Sequence, residues 1–366
     1  MAEIRIEHLH KAFGDFAAVR DSTFSVRDGD FFCLLGPSGC GKTTTLRMIA
    51  GLELPTSGRI LLGDEDVTFK RASQRDIAFV FQLFALYPHM NVRANIAYPL
   101  RSQGMLRHDV QTRVEEAARI LRIQHLLDRS VSGLSSGDRQ RVALGRAIVR
   151  EPMAFLLDEP LGALDTEFRE VMCGELRALH DRLKATTVYV THDQLEAMAM
   201  ADTIALMNRG VIEQLGTPQD IYDRPASMFV ADFIGSPPMS FLPFRGSVVP
   251  GDRSVRVDSV DIALPEVREG SADTELVLGV RPEHIELSDD APLRAEVVDA
   301  EYMGTTQIVT LNTATGTSMK ARIQAHIHVR PGESTGLKFR PGQLSLFDGV
   351  SGRALRTALH DGDAHG

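Results

Sequence analysis

The chain contains the segment Gly36-Pro37-Ser38-Gly39-Cys40-Gly41-Lys42-Thr43. This segment follows an apolar run at residues 31–35 and precedes residues 44–50, whose composition favours a helix. A buried strand, a glycine-rich loop and a helix form the setting in which this pattern binds phosphate. The glycines let the backbone turn its N–H groups toward an anion, and the helix N-terminus adds partial positive charge. The segment therefore predicts a loop that binds a nucleoside triphosphate.

Two side chains in this loop have a chemistry suited to phosphates and to a cation. The Lys42 ammonium can reach the β- and γ-phosphates, and the Thr43 hydroxyl suits a Mg²⁺ ion. We expect the phosphate-binding segment to extend from Gly36 to Thr43.

Composition limits the class of protein. A chain of 366 residues predicts about two domains, and 43% hydrophobic with 24% charged residues is typical of globular proteins. The formal net charge of −9 argues against nucleic acid as a partner. We see no signal peptide and no apolar run near the ~18 residues of a membrane span, so we expect any membrane link to involve a partner.

The pattern of strands and helices predicts a first domain over residues 1–235. Apolar runs alternating with helical segments favour a mostly parallel α/β sheet, with a helical insertion at about 90–150. The alternating residues 4–9 predict an edge strand of a small antiparallel sheet. After Gly235, short strands at close spacing predict a β-rich domain of OB type over 236–366.

The apolar run at residues 154–157 ends in Asp158 and Glu159, at the sheet edge where open α/β sheets bind ligands. Asp158 can hold Mg²⁺, commonly through water, and Glu159 can accept a proton from an attacking water. Two solvated acids at a strand end are the alternative. The preceding apolar run and the following Pro160 favour the functional interpretation.

Three further positions stay open from the residues alone. Gln82 follows a buried strand, and its amide can either contact Mg²⁺ and orient water or cap a loop. A lone histidine such as His192 is more often structural, although beside Glu159 it can donate a hydrogen bond to a γ-phosphate. Phe13 can stack on an adenine ring or belong to a core.

A second candidate anion site precedes the helix predicted to start near Arg139. Ser135 and Gly137 can present a hydroxyl and backbone N–H groups at that helix N-terminus. An N-cap with Asp138 at its third position explains the same residues, and the physical chemistry alone favours this plainer interpretation.

Taken together, these residues resemble an ATP-binding cassette, and specifically the ATPase subunit of a carbohydrate-type (maltose or glycerol-3-phosphate) ABC importer. The motifs that carry the resemblance are the Walker A loop at Gly36–Thr43, the Q-loop Gln82, the signature at Leu134–Asp138, the Walker B end at Leu156–Glu159, the D-loop at Leu161–Asp165 and the switch His192. Segments 216–222, 229–237 and 278–285 resemble the importer branch for sugars and glycerol phosphate.

The resemblance implies a P-loop ATPase with ATP and Mg²⁺ as cofactors. It implies ATP binding by Phe13 and by the loop, namely Gly36, Pro37, Ser38, Gly39, Cys40, Gly41, Lys42, Thr43 and Thr44. It implies catalytic roles for Glu159, His192, Lys42 and Gln82, and metal binding by Thr43, Gln82 and Asp158. The work implied is import of a sugar, polyol, glycoside or glycerol-phosphate-like solute.

The resemblance also implies partners. The signature residues Ser135, Ser136, Gly137 and Asp138 of one subunit would act on the ATP of the other, with Asp165 in the D-loop. The dimer would be formed by two copies or with a second ABC ATPase, on two transmembrane permease subunits that receive solute from an extracytoplasmic binding protein. The implied location is peripheral, at the cytoplasmic face of the bacterial inner membrane.

Two segments depart from the family pattern. Ser136-Gly137-Asp138 stands where Gly-Gly-Gln is usual, and Gly162-Ala163 stands where Ser-Asn is frequent. Asp138 adds an acid near a nucleotide, which is unfavourable unless the helix N-terminus offsets it. The alternative function is a soluble ABC ATPase that is not a transporter. The presence of a single cassette and the lack of an excess of basic residues argue against this alternative.

Overall fold

The computed structural model describes residues 3–162 and 164–361, with the backbone alone at residue 273. The chain divides into two compact units, Met1–Pro218 and Gln219–Gly366. No helix within these described ranges is long and apolar enough to cross a bilayer.

The first unit alternates strands and helices. Its strands are β1 (Ile4–Phe13), β2 (Phe16–Val26), β3 (Phe31–Leu35), β4 (Ser57–Leu62), β5 (Glu65–Asp66), β6 (Ile77–Val80), β7 (Ala154–Asp158), β8 (Thr186–Thr191), β9 (Thr203–Asn208) and β10 (Val211–Gly216). Its helices are α1 (Lys42–Ala50), α2 (Val92–Ser102), α3 (Arg107–Ile120), α4 (Ser136–Ile148), α5 (Thr166–Leu183) and α6 (Gln194–Met200).

A six-stranded sheet in the order β10-β9-β3-β8-β7-β6 forms the centre of this unit. Strands β9, β3, β8, β7 and β6 run parallel, and only β10 is antiparallel. Every residue of β3 is buried, which explains its unbroken apolar run. Because the strands are parallel, the residues that follow β3, β6, β7 and β8 meet at one edge of the sheet. The predicted parallel sheet is confirmed, as is the helical insertion between β6 and β7.

The other sheet of this unit has four antiparallel strands in the order β2-β1-β4-β5. Strand β1 pairs with both β2 and β4, so the prediction of an edge strand at residues 4–9 is wrong. Its alternation has another cause: Ile4, Ile6 and Leu9 are buried on one face while the opposite face stays accessible. One-sided burial gives the same pattern in an interior strand as in an edge strand.

The second unit is mainly antiparallel β structure. Helices α7 (Pro218–Asp223) and α8 (Met228–Phe233) precede β11 (Ser240–Val248), β12 (Ser254–Val257), β13 (Val260–Ala263), β14 (Ser271–Val280), β15 (Ile285–Leu287), β16 (Leu293–Tyr302), β17 (Thr306–Thr313), β18 (Ser318–Gln324), β19 (Ser334–Phe339) and β20 (Ser345–Asp348). These strands form three sheets, in the orders β11-β14-β20, β12-β13 and β15-β19-β16-β17-β18. They share one apolar core, so the predicted β-rich domain is confirmed.

A buried arginine joins α7 and α8 to the strands of the second unit. Arg281 is only 2% exposed, and its guanidinium donates to the carbonyls of Tyr222 at 2.8 Å and Ala231 at 3.0 Å, and also to Ile234 O. Its Cζ lies 4.2 Å from the centroid of the Tyr222 ring. The division between the two compact units falls between Pro218 and Gln219. The domain boundary after Gly235, downstream of α7 and α8, stays a prediction.

Candidate functional site

The glycine-rich loop connects β3 to α1 and folds around the Lys42 side chain. Lys42 is 4% exposed, and its Nζ donates hydrogen bonds to Gly36 O at 2.8 Å and Pro37 O at 2.9 Å. Cys40 Sγ lies 3.9 Å from the same nitrogen, and burial raises the pKa of this thiol, which keeps it neutral. The ammonium is thus held inside the loop by backbone carbonyls.

Two glycines of the loop have no room for a side chain. Gly36 has φ +152°, and a Cβ there would lie 2.2 Å from Met207 O. Gly41 has φ +110°, and its Cβ would lie 2.4 Å from Ala18 O. Gly39 also has a positive φ of +79°, but a Cβ there would have no neighbour within 4 Å. Close backbone approach explains Gly36 and Gly41, whereas backbone conformation alone explains Gly39.

Thr43, at the start of α1, meets Asp158 at the end of β7. Thr43 Oγ1 donates to Asp158 Oδ1 at 2.9 Å, and burial raises the pKa of this carboxyl, partly opposed by that hydrogen bond. A hydroxyl and a carboxylate are hard oxygen donors of the kind Mg²⁺ prefers. Within the described ranges no group of three His, Cys, Asp or Glu residues could hold a metal, so a cation here would also need phosphate and water oxygens. The donor set fits a magnesium ion that arrives with a nucleotide.

Glu159 brings together three of the predicted catalytic residues. Its Oε2 lies 3.3 Å from Gln82 Nε2 and 3.3 Å from His192 Nδ1. The Glu159 backbone has φ +42°, a left-handed conformation that is uncommon outside glycine, and its N–H donates to Val190 O. Strained backbone of this kind concentrates at functional sites. The ends of β6, β7 and β8 therefore carry one cluster of an amide, a carboxylate and an imidazole.

The signature segment forms its own local structure at the start of α4. Ser135 is the N-cap: its Oγ accepts from Asp138 N at 3.1 Å and donates to Asp138 Oδ2 at 2.8 Å. Ser136 is the first helical residue, and a Cβ on Gly137 would lie 2.2 Å from the Phe168 ring. No hydrogen bond or ion pair described for this chain joins the segment to Glu159 or to the glycine-rich loop. The N-cap interpretation is confirmed, and a role toward a second subunit stays a prediction.

Two predicted residues lie apart from the Glu159 cluster. Phe13 is 49% exposed at the end of β1, with Lys11 Nζ 4.7 Å from its ring centroid. Asp165 is the N-cap of α5 and accepts from Phe168 N at 3.0 Å. Residue 163 of the predicted D-loop lies outside the described residues.

Sequence reasoning missed Arg169, which contacts the turn that carries His192. Its Nη1 lies 2.8 Å from Asp193 Oδ2, and its Nη2 donates to Leu164 O at 3.0 Å. The sequence does contain a signal, because two acidic residues, Asp193 and Glu196, follow His192 closely. Two acids in one turn favour a basic side chain nearby. Nothing in the local pattern indicated which arginine supplies it.

Three family models match the chain: ABC transporter over residues 19–162, MalK OB fold domain over 235–285, and TOBE domain over 278–347. The trehalose/maltose import ATP-binding protein MalK of Thermococcus litoralis is 44% identical, covering 97% of this chain and 100% of that protein. The sn-glycerol-3-phosphate import ATP-binding protein UgpC of Ruegeria sp. is 44% identical over 97% and 99%. MJ0796, a bacterial ABC transporter cassette solved as a dimer, is 28% identical with a TM-score of 0.54, covering 59% of this chain and 98% of that one.

Proposed function

The chain belongs to the family of ABC transporter ATP-binding proteins, and on that premise we propose that its ATP hydrolysis drives uptake of a small polar solute. The predicted cassette fold and the ATPase reaction are confirmed by this membership. The observation that supports uptake is the similarity, over 97% of the chain, to proteins named for import of trehalose, maltose or glycerol 3-phosphate. Nothing in these similarities supports the alternative of an ABC ATPase outside transport.

The glycine-rich loop is the proposed site of the ATP phosphates. Lys42 Nζ now donates to two loop carbonyls, and phosphate oxygens would be stronger, charged acceptors for the same ammonium. Backbone N–H groups at the start of α1 would complete the cradle, and Phe13 would stack on the adenine. Residues from Gly36 to Thr44 form this binding segment.

Thr43 and Asp158 would hold Mg²⁺, with Gln82 as a third oxygen donor. The ion would supply positive charge beside the β- and γ-phosphates. The 2.9 Å hydrogen bond between Thr43 and Asp158 keeps both oxygens at one place before any ion binds. Prior placement of the donors reduces the ordering needed on binding.

Hydrolysis needs an acceptor for the proton of the attacking water. Glu159 is the proposed acceptor, because its carboxylate is the shared partner of an amide and an imidazole. Gln82 would orient the water, and His192 would donate to the γ-phosphate. Lys42 would balance the charge that develops on the phosphate oxygens.

The proposed working state is a dimer in which each signature acts on the other subunit's ATP. The dimeric cassette among the similar structures supports such pairing. Ser135, Ser136, Gly137 and Asp138 are the proposed cross-subunit residues, and the partner is a second copy or another ABC ATPase. Two permease subunits would contact the surface after β6, where Leu83 is 85% exposed. This arrangement implies a peripheral position at the cytoplasmic face of the bacterial inner membrane.

The proposed function is tested by the ATPase activity of the purified chain, alone and with its permease subunits in lipid. Adding a solute-binding protein with and without sugars, polyols or glycerol 3-phosphate identifies the solute class. We expect stimulation only by the loaded binding protein. Full activity that ignores every membrane partner would contradict the transport function and favour the other class of ABC ATPase.

We expect Asp138→Gln to strengthen the proposed cross-subunit site. The Asp138 carboxylate accepts the only hydrogen that the Ser135 hydroxyl can donate, and it adds negative charge where a phosphate would bind. Removing that charge should lower the ATP concentration at which half of the chains are dimeric by about five- to tenfold. Light scattering during an ATP titration of the Glu159→Gln background measures this shift.

Asp109→Asn is the matched control, because Asp109 is also an acid in the first turn of a helix of the same insertion. It should leave the titration unchanged. An Asp138→Gln variant with an unchanged or higher midpoint would show that the carboxylate does not oppose ATP at this site.

A further inference from the structure

We propose that Arg169 is a positioning residue for His192, and that it couples this histidine to the segment leading into α5. The inference rests on the proposed function, since it concerns hydrolysis at the Glu159 cluster. Arg169 lies near the start of α5, and its side chain is 25% exposed. No contact described for this chain joins it to Glu159 or to His192, so it would act through its neighbours.

One guanidinium contacts two separate segments. Its Nη1 lies 2.8 Å from Asp193 Oδ2, next in sequence to His192. Its Nη2 donates to Leu164 O at 3.0 Å, next in sequence to Asp165. The planar fork of arginine makes both contacts at fixed relative directions, which an ammonium does not. A displacement of the segment at Leu164 would therefore move the Arg169 guanidinium, and with it the position of the Asp193 carboxylate.

The turn that carries His192 is held by hydrogen bonds on both sides of the histidine. Asp193 N donates to Thr191 Oγ1 at 2.9 Å, and Thr191 Oγ1 donates to Glu196 Oε2 at 2.7 Å. The Tyr189 hydroxyl donates to the same oxygen at 2.7 Å. These bonds fix the backbone before and after His192, and the imidazole faces Glu159.

Glu196 makes the arginine hard to replace. Its side chain is 4% exposed, and its Oε1 lies 3.5 Å from Arg169 Nε, which is the cation described beside it. Without that cation, the buried Glu196 carboxylate would keep, among its described contacts, the hydroxyls of Tyr189 and Thr191, and burial already raises its pKa. Loss of the charge should therefore loosen the turn and not only the contact with Asp193.

His192 depends on this turn for its position. Its own described polar contact is the 3.3 Å approach of Nδ1 to Glu159 Oε2, and its side chain is 51% exposed. A half-exposed imidazole with one polar contact among the described residues takes its position from the backbone on either side. Small misplacements of catalytic groups can lower rates by about 10²-fold.

The test is a double-mutant cycle of Arg169→Gln with His192→Ala, read as kcat and KM for ATP. We expect Arg169→Gln alone to lower kcat about 10- to 100-fold with KM changed less than about twofold. In the His192→Ala background the same change should lower the residual rate less than about twofold, because both act through one histidine. Arg169→Lys, which keeps the charge without the fork, should give an intermediate kcat and guards against a variant that does not fold.

Arg177→Gln is the matched control, since Arg177 lies in the same helix and donates to Met200 O and Asp202 Oδ1, each at 2.8 Å. It should change thermal stability as much as Arg169→Gln but leave kcat within about twofold. An equal loss of kcat in Arg177→Gln, or an undiminished effect of Arg169→Gln without His192, would overturn the inference. An unimpaired His192→Ala variant would instead count against the proposed role of the histidine.

Discussion

The Glu159→Gln variant is expected to bind ATP and to hydrolyse it about 10² to 10⁴ times more slowly than the parent chain. Glutamine has the same size and still accepts a hydrogen bond from Gln82, but it cannot take a proton from water. Binding by the glycine-rich loop should be unaffected, because Lys42 and Thr43 are unchanged. ATP-bound dimer should therefore accumulate, measurable by size-exclusion chromatography beside phosphate release.

Glu151→Gln is the control for this variant. Glu151 also has a positive φ, +49°, and precedes the opposite end of β7, where it pairs with Arg113 on the surface. We expect it to hydrolyse ATP at the parent rate. Glu159→Gln hydrolysis at the parent rate would show that another group accepts the proton.

Gly41→Ala is expected to lower nucleotide affinity more than about 100-fold and to destabilise the first unit by about 2–4 kcal/mol. The added Cβ would lie 2.4 Å from Ala18 O, so either β2 or the loop must shift. Because Gly41 directly precedes Lys42, that shift displaces the phosphate cradle. Titration with a fluorescent ATP analogue and urea unfolding measure the two effects.

Gly39→Ala separates conformational strain from the clash. Gly39 shares the positive φ but has open space around it, so alanine there should destabilise by only about 1 kcal/mol. Its nucleotide affinity should fall less than about tenfold. If both alanine variants bind ATP equally well, the close approach to Ala18 is not what requires glycine at 41.

The residues that meet at the sheet edge were predictable because each is tied to a strand end. Gly36, Asp158 and His192 each follow an apolar run, and parallel strands place such ends together. Helix α5 begins at Thr166, directly after the N-cap Asp165, so its start depends on local sequence. Local pattern suffices when the packing partner is set by a simple rule.

Other features depended on contacts distant in sequence. The interior position of β1 follows from its pairing with β4, far along the chain, as between Ile4 and Leu62. Arg169 meets Asp193 through the packing of α5 beside α6, and one arginine in a helix has no signature of its own. In the second unit, the pairing of β14 with β11 and with β20 likewise joins segments distant in sequence.

The carbonyls that Arg281 uses bear on how such chains could exchange parts during evolution. A recombination event joining a different cassette to this chain at Ser236 would bring its own α7 and α8, whose backbone carbonyls would have to take the positions of those of Tyr222, Ala231 and Ile234. An unsatisfied buried charge is strongly destabilising, so a hybrid in which these carbonyls are displaced from Arg281 would be selected against. A crossover before α7 transfers the arginine together with its acceptors. The segment that can be exchanged as a unit therefore starts with α7. Chimeric proteins made by sequence shuffling should be joined before this helix.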